Sequence, residues 1–151
     1  MTDNIRVVEA TPSDGKTVGG MVHALLAELF PESTADFDQD KMCSTAATLL
    51  AGGSGVWGLI AQTGDGKPVG LLMLNECAAI YAGGKFGEIS EFYVAPSHRS
   101  AGVGALIVDV AAEFGRLAHQ IRGHRREVLS QHGVSSGSVG CVMTLRPSGH
   151  G

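Results

Sequence analysis

This sequence has few cysteines, a small net charge and no long apolar run, and each of these features excludes a class of protein. Its three Cys residues lie far apart and form no CxxC pair, so neither a disulfide framework nor a zinc site is indicated. No apolar run approaches the ~20 residues that a membrane helix needs, and the first residues lack the basic and apolar stretches of a signal peptide. The net charge of −4 argues against a nucleic-acid-binding domain, which is normally basic. We therefore expect a reduced, cytoplasmic protein without a metal site and without a membrane or nucleic-acid partner.

Glycine is the residue in excess, at 22 of 151 residues. No Gly-x-y period accompanies it, which excludes a collagen-like chain. Hydrophobic residues make up 44% and charged residues 17% of the chain, a balance that is typical of globular proteins. The length suits one domain, because single cores usually span ~100–200 residues.

The composition changes near residue 119. Residues 1–118 contain 7 Lys or Arg and 14 Asp or Glu, whereas residues 119–151 contain four Arg, one Glu and four of the six His. We therefore interpret residues 1–151 as a single domain in which the segment 119–151 is atypical.

Strand and helix signals alternate before this change. Four apolar runs predict strands, at 5–10, 56–62, 69–81 and 86–94. Helical spacing predicts helices that end at Pro31, at Gly52 and near Ala118. The last helix has an apolar stripe, formed by Val103, Leu106, Ile107, Val110, Phe114 and Leu117. Glycine-containing turns join the later strands into hairpins, so the order predicts an α/β sheet with helices on its faces.

The junction between the last predicted strand and the last predicted helix has the residues of an anion site. The helix opens at Gly102-Val103-Gly104, where the first turn exposes unpaired N–H groups and the helix dipole favours an anion. Glycine lets a phosphate approach the backbone, and Arg99 adds a planar donor fork suited to phosphate. A P-loop would need Gly-Lys-Ser/Thr, and a dinucleotide fingerprint would need a third Gly where Ile107 stands, so both are excluded.

This junction resembles motif A of the GCN5-related N-acetyltransferases, because Arg-x-x-Gly-x-Gly at residues 99–104 follows Glu-Phe-Tyr-Val-Ala-Pro at residues 91–96. The resemblance implies a mixed, mostly antiparallel sheet flanked by helices, with acetyl-coenzyme A as the cofactor. It places the pyrophosphate on the loop and helix start, and it pairs the pantetheine arm with the strand end like an additional strand. The implied cofactor contacts are Phe92, Tyr93, Val94, Arg99, Ser100, Ala101, Gly102, Val103, Gly104 and Ala105. The N–H of Val94 would stabilise the oxyanion of the tetrahedral intermediate.

The implied reaction is transfer of an acetyl group to a primary amine of a small molecule. An amine with a lysine-like pKa of ~10.4 is protonated at neutral pH, so a base must take a proton before the amine attacks. Glu91 is the first candidate for this general base. Glu88 is the second, but residues three apart on a regular strand face opposite sides, so we expect only one of the two at the site. Tyr93 is interpreted as a core or wall residue.

Carboxylates also cluster between the first two predicted helices, at Glu28, Glu32, Asp36, Asp38 and Asp40. In the family that the motif resembles, this region lies over the acceptor site, so the cluster would attract a cationic amine. The alternative is a solvated loop.

The segment after residue 118 departs from the family pattern. The family's second half supplies an Asn contact and a Tyr that protonates the leaving thiolate, but here no Tyr follows Tyr93 and no Asn follows Asn75. Residues 126–130 and 139–145 predict only two short strands, and an incomplete sheet edge favours a homodimer. Two hypotheses follow: an active N-acetyltransferase, or a degenerate acetyltransferase-like protein that binds coenzyme A or a partner without turnover.

Overall fold

An antiparallel sheet lies at the centre of the structure, a computed structural model that describes residues 4–81, 83–119 and 143–145. The strands are β1 (Arg6–Glu9), β2 (Val56–Gln62), β3 (Pro68–Ala79), β4 (Gly84–Val94) and β5 (Met143–Leu145). They lie side by side in chain order, and each neighbouring pair is antiparallel.

Helices cover both faces of this sheet. The described helices are α1 (Gly15–Leu29), α2 (Gln39–Leu49) and α3 (Val103–His119). Pro31 follows α1 and begins the short 3₁₀ turn Pro31–Asp36, because proline has no N–H with which to continue a helix. The Asp38 carboxylate accepts the N–H of Lys41 at 3.1 Å and so caps the start of α2. The predicted fold class, a mostly antiparallel sheet flanked by helices, is confirmed.

Alternating side chains give the sheet two apolar faces, each with its own buried cluster. The face that packs against α3, here called the α3 face, carries Leu72 and Ile89, which lie in one cluster with Ile107 of the helix. The opposite face, here called the α1 face, carries Leu71 and Met73, which cluster with residues of α1 and α2. Residues of β4 can therefore be assigned to one face or the other from their partners on β3.

Among the described side chains of α3, the buried side lacks Leu106 of the predicted stripe and includes residues outside that stripe. The prediction included Leu106, which is 38% exposed, whereas Ala111 and Ala112 are buried. The reason is a close approach of the helix to the sheet: a Cβ at Gly70 of β3 would lie 2.8 Å from Cδ1 of Ile107. Gly70 leaves the space that Ile107 fills, and Ala111 and Ala112 are buried in the same helix.

Helices α1 and α2 also approach closely, through glycine. A Cβ at Gly15 would lie 2.9 Å from Cβ of Ala47, and a Cβ at Gly19 would lie 2.6 Å from Cα of Cys43. These two glycines are four residues apart and therefore on one side of α1. They allow α2 to hold α1 against the sheet.

Part of the predicted C-terminal structure lies outside the described residues. The predicted strand 126–130 is not among them. The predicted strand 139–145 is described at β5, whose backbone pairs with Gly87–Ile89 of β4. None of the described helices has the length and apolar character needed to cross a membrane.

Candidate active site

The loop between β4 and α3 has a left-handed backbone at two positions. It passes through the 3₁₀ turn Pro96–His98 and then places Ser100 at φ 66° and Gly102 at φ 81°. Such angles are strained for a residue with a Cβ, whereas glycine adopts them freely. Left-handed residues turn neighbouring N–H groups toward one side, as in anion-binding loops.

The start of α3 combines hydrogen-bond donors with open space, and we call this place the cradle. The N–H of Leu106 donates to the carbonyl of Gly102 at 3.1 Å. The N–H groups of Val103–Ala105 precede this first bond and have no partner within the helix. A Cβ at Gly102 would meet no atom within 4 Å. Donors beside an empty volume at a helix N-terminus fit a phosphate group.

Gly104 has a different role from Gly102. A Cβ at Gly104 would lie 3.2 Å from Cζ of Phe92 on β4, so this glycine faces the sheet and lets α3 pack closely against the strand. Val103 is 3% exposed and its side chain belongs to the core of the α3 face. Of these two residues, therefore, only the backbone N–H groups are placed to contact a ligand.

Among the described residues, the last ones of β4 have a backbone edge without a neighbouring strand, here called the free edge. β5 pairs with β4 at Gly87–Ile89, and beyond Ile89 no described strand lies on the outer side. The N–H of Ala95 donates to a carbonyl of β3 at 2.8 Å. Backbone groups alternate in direction along a strand, so the N–H groups of Phe92 and Val94 point to the outer side. An extended ligand could therefore pair with this edge.

A β-bulge at Ser90 changes which way the candidate bases face. Glu88 pairs with Asn75, and Glu91 pairs with Met73. Asn75 and Met73 are two residues apart and lie on one face, so Glu88 and Glu91 share that face although they are three apart. The expectation that they point to opposite sides is wrong, because a bulge places one extra residue in the strand. Both carboxylates lie on the α1 face.

The two carboxylates have different hydrogen-bond partners. The hydroxyl of Ser90 donates to the half-buried carboxylate of Glu91. The thiol of Cys77 donates to Glu88 Oε2 at 3.5 Å. Burial, and then the Glu88 carboxylate, raise the pKa of the Cys77 thiol, so Cys77 is a protonated donor at neutral pH. Both glutamates therefore accept hydrogen bonds, as a carboxylate base would.

The side chain of Arg99 is held by protein groups. Its Nε donates to the carbonyl of Val94 at 2.8 Å, and one terminal nitrogen donates to both carboxylate oxygens of Glu28 at 2.7 Å. Its Cζ lies 5.8 Å from the ring centroid of Tyr93. The charge expected to face phosphate is thus paired with a carboxylate of α1.

Tyr93 lies on the α1 face, where it packs partly against the buried cluster. Burial, and then the Glu28 carboxylate, raise the pKa of its phenol, while Arg99 acts in the opposite direction. The phenol therefore stays protonated at neutral pH. This placement is that of a wall residue beside the end of β4.

The acidic run between the first two helices divides into two parts. Glu28 pairs with Arg99 and Asp38 caps α2, so both have structural partners. Glu32, Asp36 and Asp40 are exposed. One feature of the sequence could have indicated the Glu28–Arg99 pair. Glu28 lies in the last turn of a helix, where the helix dipole disfavours a carboxylate. The bulge had no signal, because the residues of β4 read as one continuous strand.

The sequence matches the profile of the acetyltransferase (GNAT) family over residues 20–127. The chain belongs to this family. GNAT proteins are generally enzymes that transfer acyl groups, and the resemblance of the junction to motif A is confirmed at the level of the family. The GNAT match extends past residue 119, into the segment with the atypical composition. No curated protein matches the chain significantly.

Solved structures share the GNAT fold at low sequence identity. A GCN5-related N-acetyltransferase from Ralstonia eutropha JMP134 is 24% identical with a TM-score of 0.61, and the similarity covers 76% of this chain and 78% of that one. A ribosomal-protein-alanine N-acetyltransferase from Brucella melitensis biovar Abortus 2308 is 19% identical with a TM-score of 0.55, covering 75% and 72%. An aminoglycoside acetyltransferase from an uncultured soil metagenomic sample, solved with sisomicin, is 15% identical with a TM-score of 0.58, covering 76% and 71%.

Proposed function

We propose that this GNAT-family chain transfers an acetyl group from acetyl-coenzyme A to a primary amine of a small molecule. The observation that carries the proposal is the position of the cradle beside the end of β4. A Cβ at Gly104 would lie 3.2 Å from the ring of Phe92, so the start of α3 packs directly against the last residues of this strand. One extended molecule, with phosphates at one end and amides along an arm, would contact both surfaces.

Coenzyme A has this chemistry. The N–H groups of Val103–Ala105 would hold its pyrophosphate, and Gly102 leaves the space for it. The outward backbone groups of Phe92 would pair with a pantetheine amide, which leaves the outward N–H of Val94 for the thioester. Acetyl-coenzyme A would supply an activated thioester: the amine nitrogen would attack its carbonyl carbon, the C–S bond would break as the amide forms, and coenzyme A would leave as a thiolate that takes up a proton from solvent.

Two groups of the chain would then assist the transfer. The carboxylate of Glu91 would take a proton from the ammonium form of the acceptor, either directly or through one water molecule. The N–H of Val94 would donate a hydrogen bond to the thioester oxygen as negative charge develops on it. Glu91 is three residues before Val94 on the same strand, so the base and the donor belong to one rigid element.

A cationic acceptor fits the charge of the α1 face. Glu88 and Glu91 both lie on this face of β4, and the exposed Glu32, Asp36 and Asp40 add negative charge between α1 and α2. Negative charge around a cleft raises the local concentration of cations. One structural neighbour, an aminoglycoside acetyltransferase, was solved in complex with sisomicin, which supports including aminoglycosides among the acceptors to be tested.

A binding measurement and an activity assay test the proposal. Calorimetry with coenzyme A should give saturable binding, and a panel of small amines should release free thiol from acetyl-coenzyme A. Binding without thiol release from any amine would favour the degenerate, non-catalytic alternative. A folded protein that binds no coenzyme A would contradict the proposal in both forms.

A further inference from the structure

Arg99 lies next to the cradle in sequence, but its guanidinium extends into the opposite layer of the molecule. Its two anchors are Glu28, which belongs to α1, and the carbonyl of Val94 at the end of β4. The Tyr93 ring that it faces is on the α1 face. The cradle, in contrast, is the start of α3, which packs on the other face.

Most of the donor capacity of this guanidinium is committed. Two of its three nitrogens bond to protein oxygens, at 2.7 to 2.8 Å. Bonds between a guanidinium and a carboxylate are charge-assisted and short, and they fix orientation as well as distance. A phosphate ligand at the cradle would have to compete with Glu28 for the same charge.

The position of Glu28 indicates what the pair does. It is the penultimate residue of α1, where the negative end of the helix dipole disfavours a carboxylate. The side chains of Arg99 and Glu28 are 38% and 40% exposed, and ion pairs with this exposure contribute little to global stability. The Arg99–Glu28 pair therefore contributes little to the stability of α1 or of the whole fold. Its role is better explained by the groups that it holds in place.

We infer that Arg99 is a positioning residue that ties the last turn of α1 to the end of β4, rather than a ligand of the cofactor phosphates. This inference rests on the proposed function. In that function, the tie fixes the position of the Val94 peptide relative to α1, the helix that borders the acceptor side. Loss of the tie should therefore impair use of the amine and leave binding of coenzyme A nearly unchanged.

A comparison of two donors separates the two roles of Arg99. S-acetylpantetheine lacks the pyrophosphate of acetyl-coenzyme A. If Arg99 bound the pyrophosphate, its loss would therefore affect the reaction with acetyl-coenzyme A but not the reaction with S-acetylpantetheine. We expect Arg99→Gln to lower kcat/KM for the amine about tenfold with either donor, and to change the Kd of coenzyme A by no more than about twofold. Glu28→Gln should give the same loss, and the double variant should be no worse than either single variant. Arg6→Gln, which removes an exposed charge on β1, is the control.

Hydrogen exchange of the protein without ligand gives a readout that needs no activity. The N–H of Ala95 bonds to β3 at 2.8 Å, and the N–H of Phe30 bonds to Leu26 at the end of α1. Arg99→Gln and Glu28→Gln should each speed exchange at both amides, without additivity in the double variant.

The results divide as follows. A tenfold rise in the Kd of coenzyme A with Arg99→Gln, together with no effect on S-acetylpantetheine, would make Arg99 a phosphate ligand and overturn the inference. Exchange that changes at one amide but not the other would also overturn it. A wild-type protein that binds no coenzyme A would refute the proposed function instead, and the exchange pattern would still decide whether Arg99 ties α1 to β4.

Discussion

A methyl group at Gly102 should weaken cofactor binding at little cost to the fold. Gly102 has φ 81°, and a Cβ there would meet nothing within 4 Å. A left-handed backbone costs a residue with a Cβ ~1–2 kcal/mol, and reduced freedom of the unfolded chain returns ~0.4–1 kcal/mol. Gly102→Ala should therefore lower the free energy of unfolding by about 1 kcal/mol. If the empty volume is where phosphate lies, the same methyl should weaken coenzyme A binding at least tenfold, or ~1.4 kcal/mol.

Gly66 provides a matched control for this change. It has φ 87° and open space around its Cβ, but it lies in the turn between β2 and β3. Gly66→Ala should lose the same stability and keep full affinity. Urea denaturation measures the first quantity and calorimetric titration the second. If both variants bind coenzyme A like the wild type, the cradle is not the phosphate site, and the reasoning from open space and free N–H groups is refuted.

Three other changes test the packing, the proposed base and one turn. Gly19→Ala should lower the free energy of unfolding by about 1–2 kcal/mol, since overpacking against Cys43 outweighs the gain in helix propensity. Gly20→Ala is the control, because its Cβ would meet its nearest atom at 3.6 Å; it should be neutral or stabilising in the same urea titration. Glu91→Gln should lower kcat about 10²-fold with an unchanged Kd for coenzyme A, and an unchanged kcat would remove Glu91 from the base role. The pKa of Asp65 is lowered from 3.8, mainly by a hydrogen bond from the Thr63 hydroxyl. A carboxyl whose pKa falls on folding stabilises the folded state above its unfolded pKa, and it loses that effect as the pH falls through the folded value. Asp65→Asn should therefore flatten the profile of stability against pH below about pH 4.

Local signals in the sequence were sufficient for the elements and for the cradle. The apolar run 56–62 is β2 with the predicted bounds, and Pro31 ends the first helix because it cannot donate a helical hydrogen bond. The glycine pair at the start of α3 predicted an open approach, and a Cβ at Gly102 would indeed meet no atom within 4 Å. Each of these properties depends on a few neighbouring residues, so a sequence reports it directly.

The errors arose where the answer depends on distant residues. Whether Glu88 and Glu91 share a face depends on the register between β3 and β4, and no residue near Ser90 announces the bulge. The exposure of Leu106 depends on how closely α3 approaches Gly70. The partner of Arg99 is 71 residues away in sequence, so the fold alone brings Glu28 to it. A motif predicted the position of Arg99 correctly, but the direction of its side chain required the tertiary structure.

The sheet separates the two parts of the proposed chemistry, and the end of β4 is where they meet. The cradle belongs to α3, on one face, whereas the candidate bases lie on the α1 face. The backbone edge of a strand belongs to neither face, so the outward N–H of Val94 can be approached from both. Had the strand continued regularly from Glu88, Glu91 would lie on the α3 face, under apolar side chains, where an unpaired carboxylate is costly. The extra residue at Ser90 places the carboxylate on the α1 face, three residues before Val94, which is where the proposed reaction would need a base.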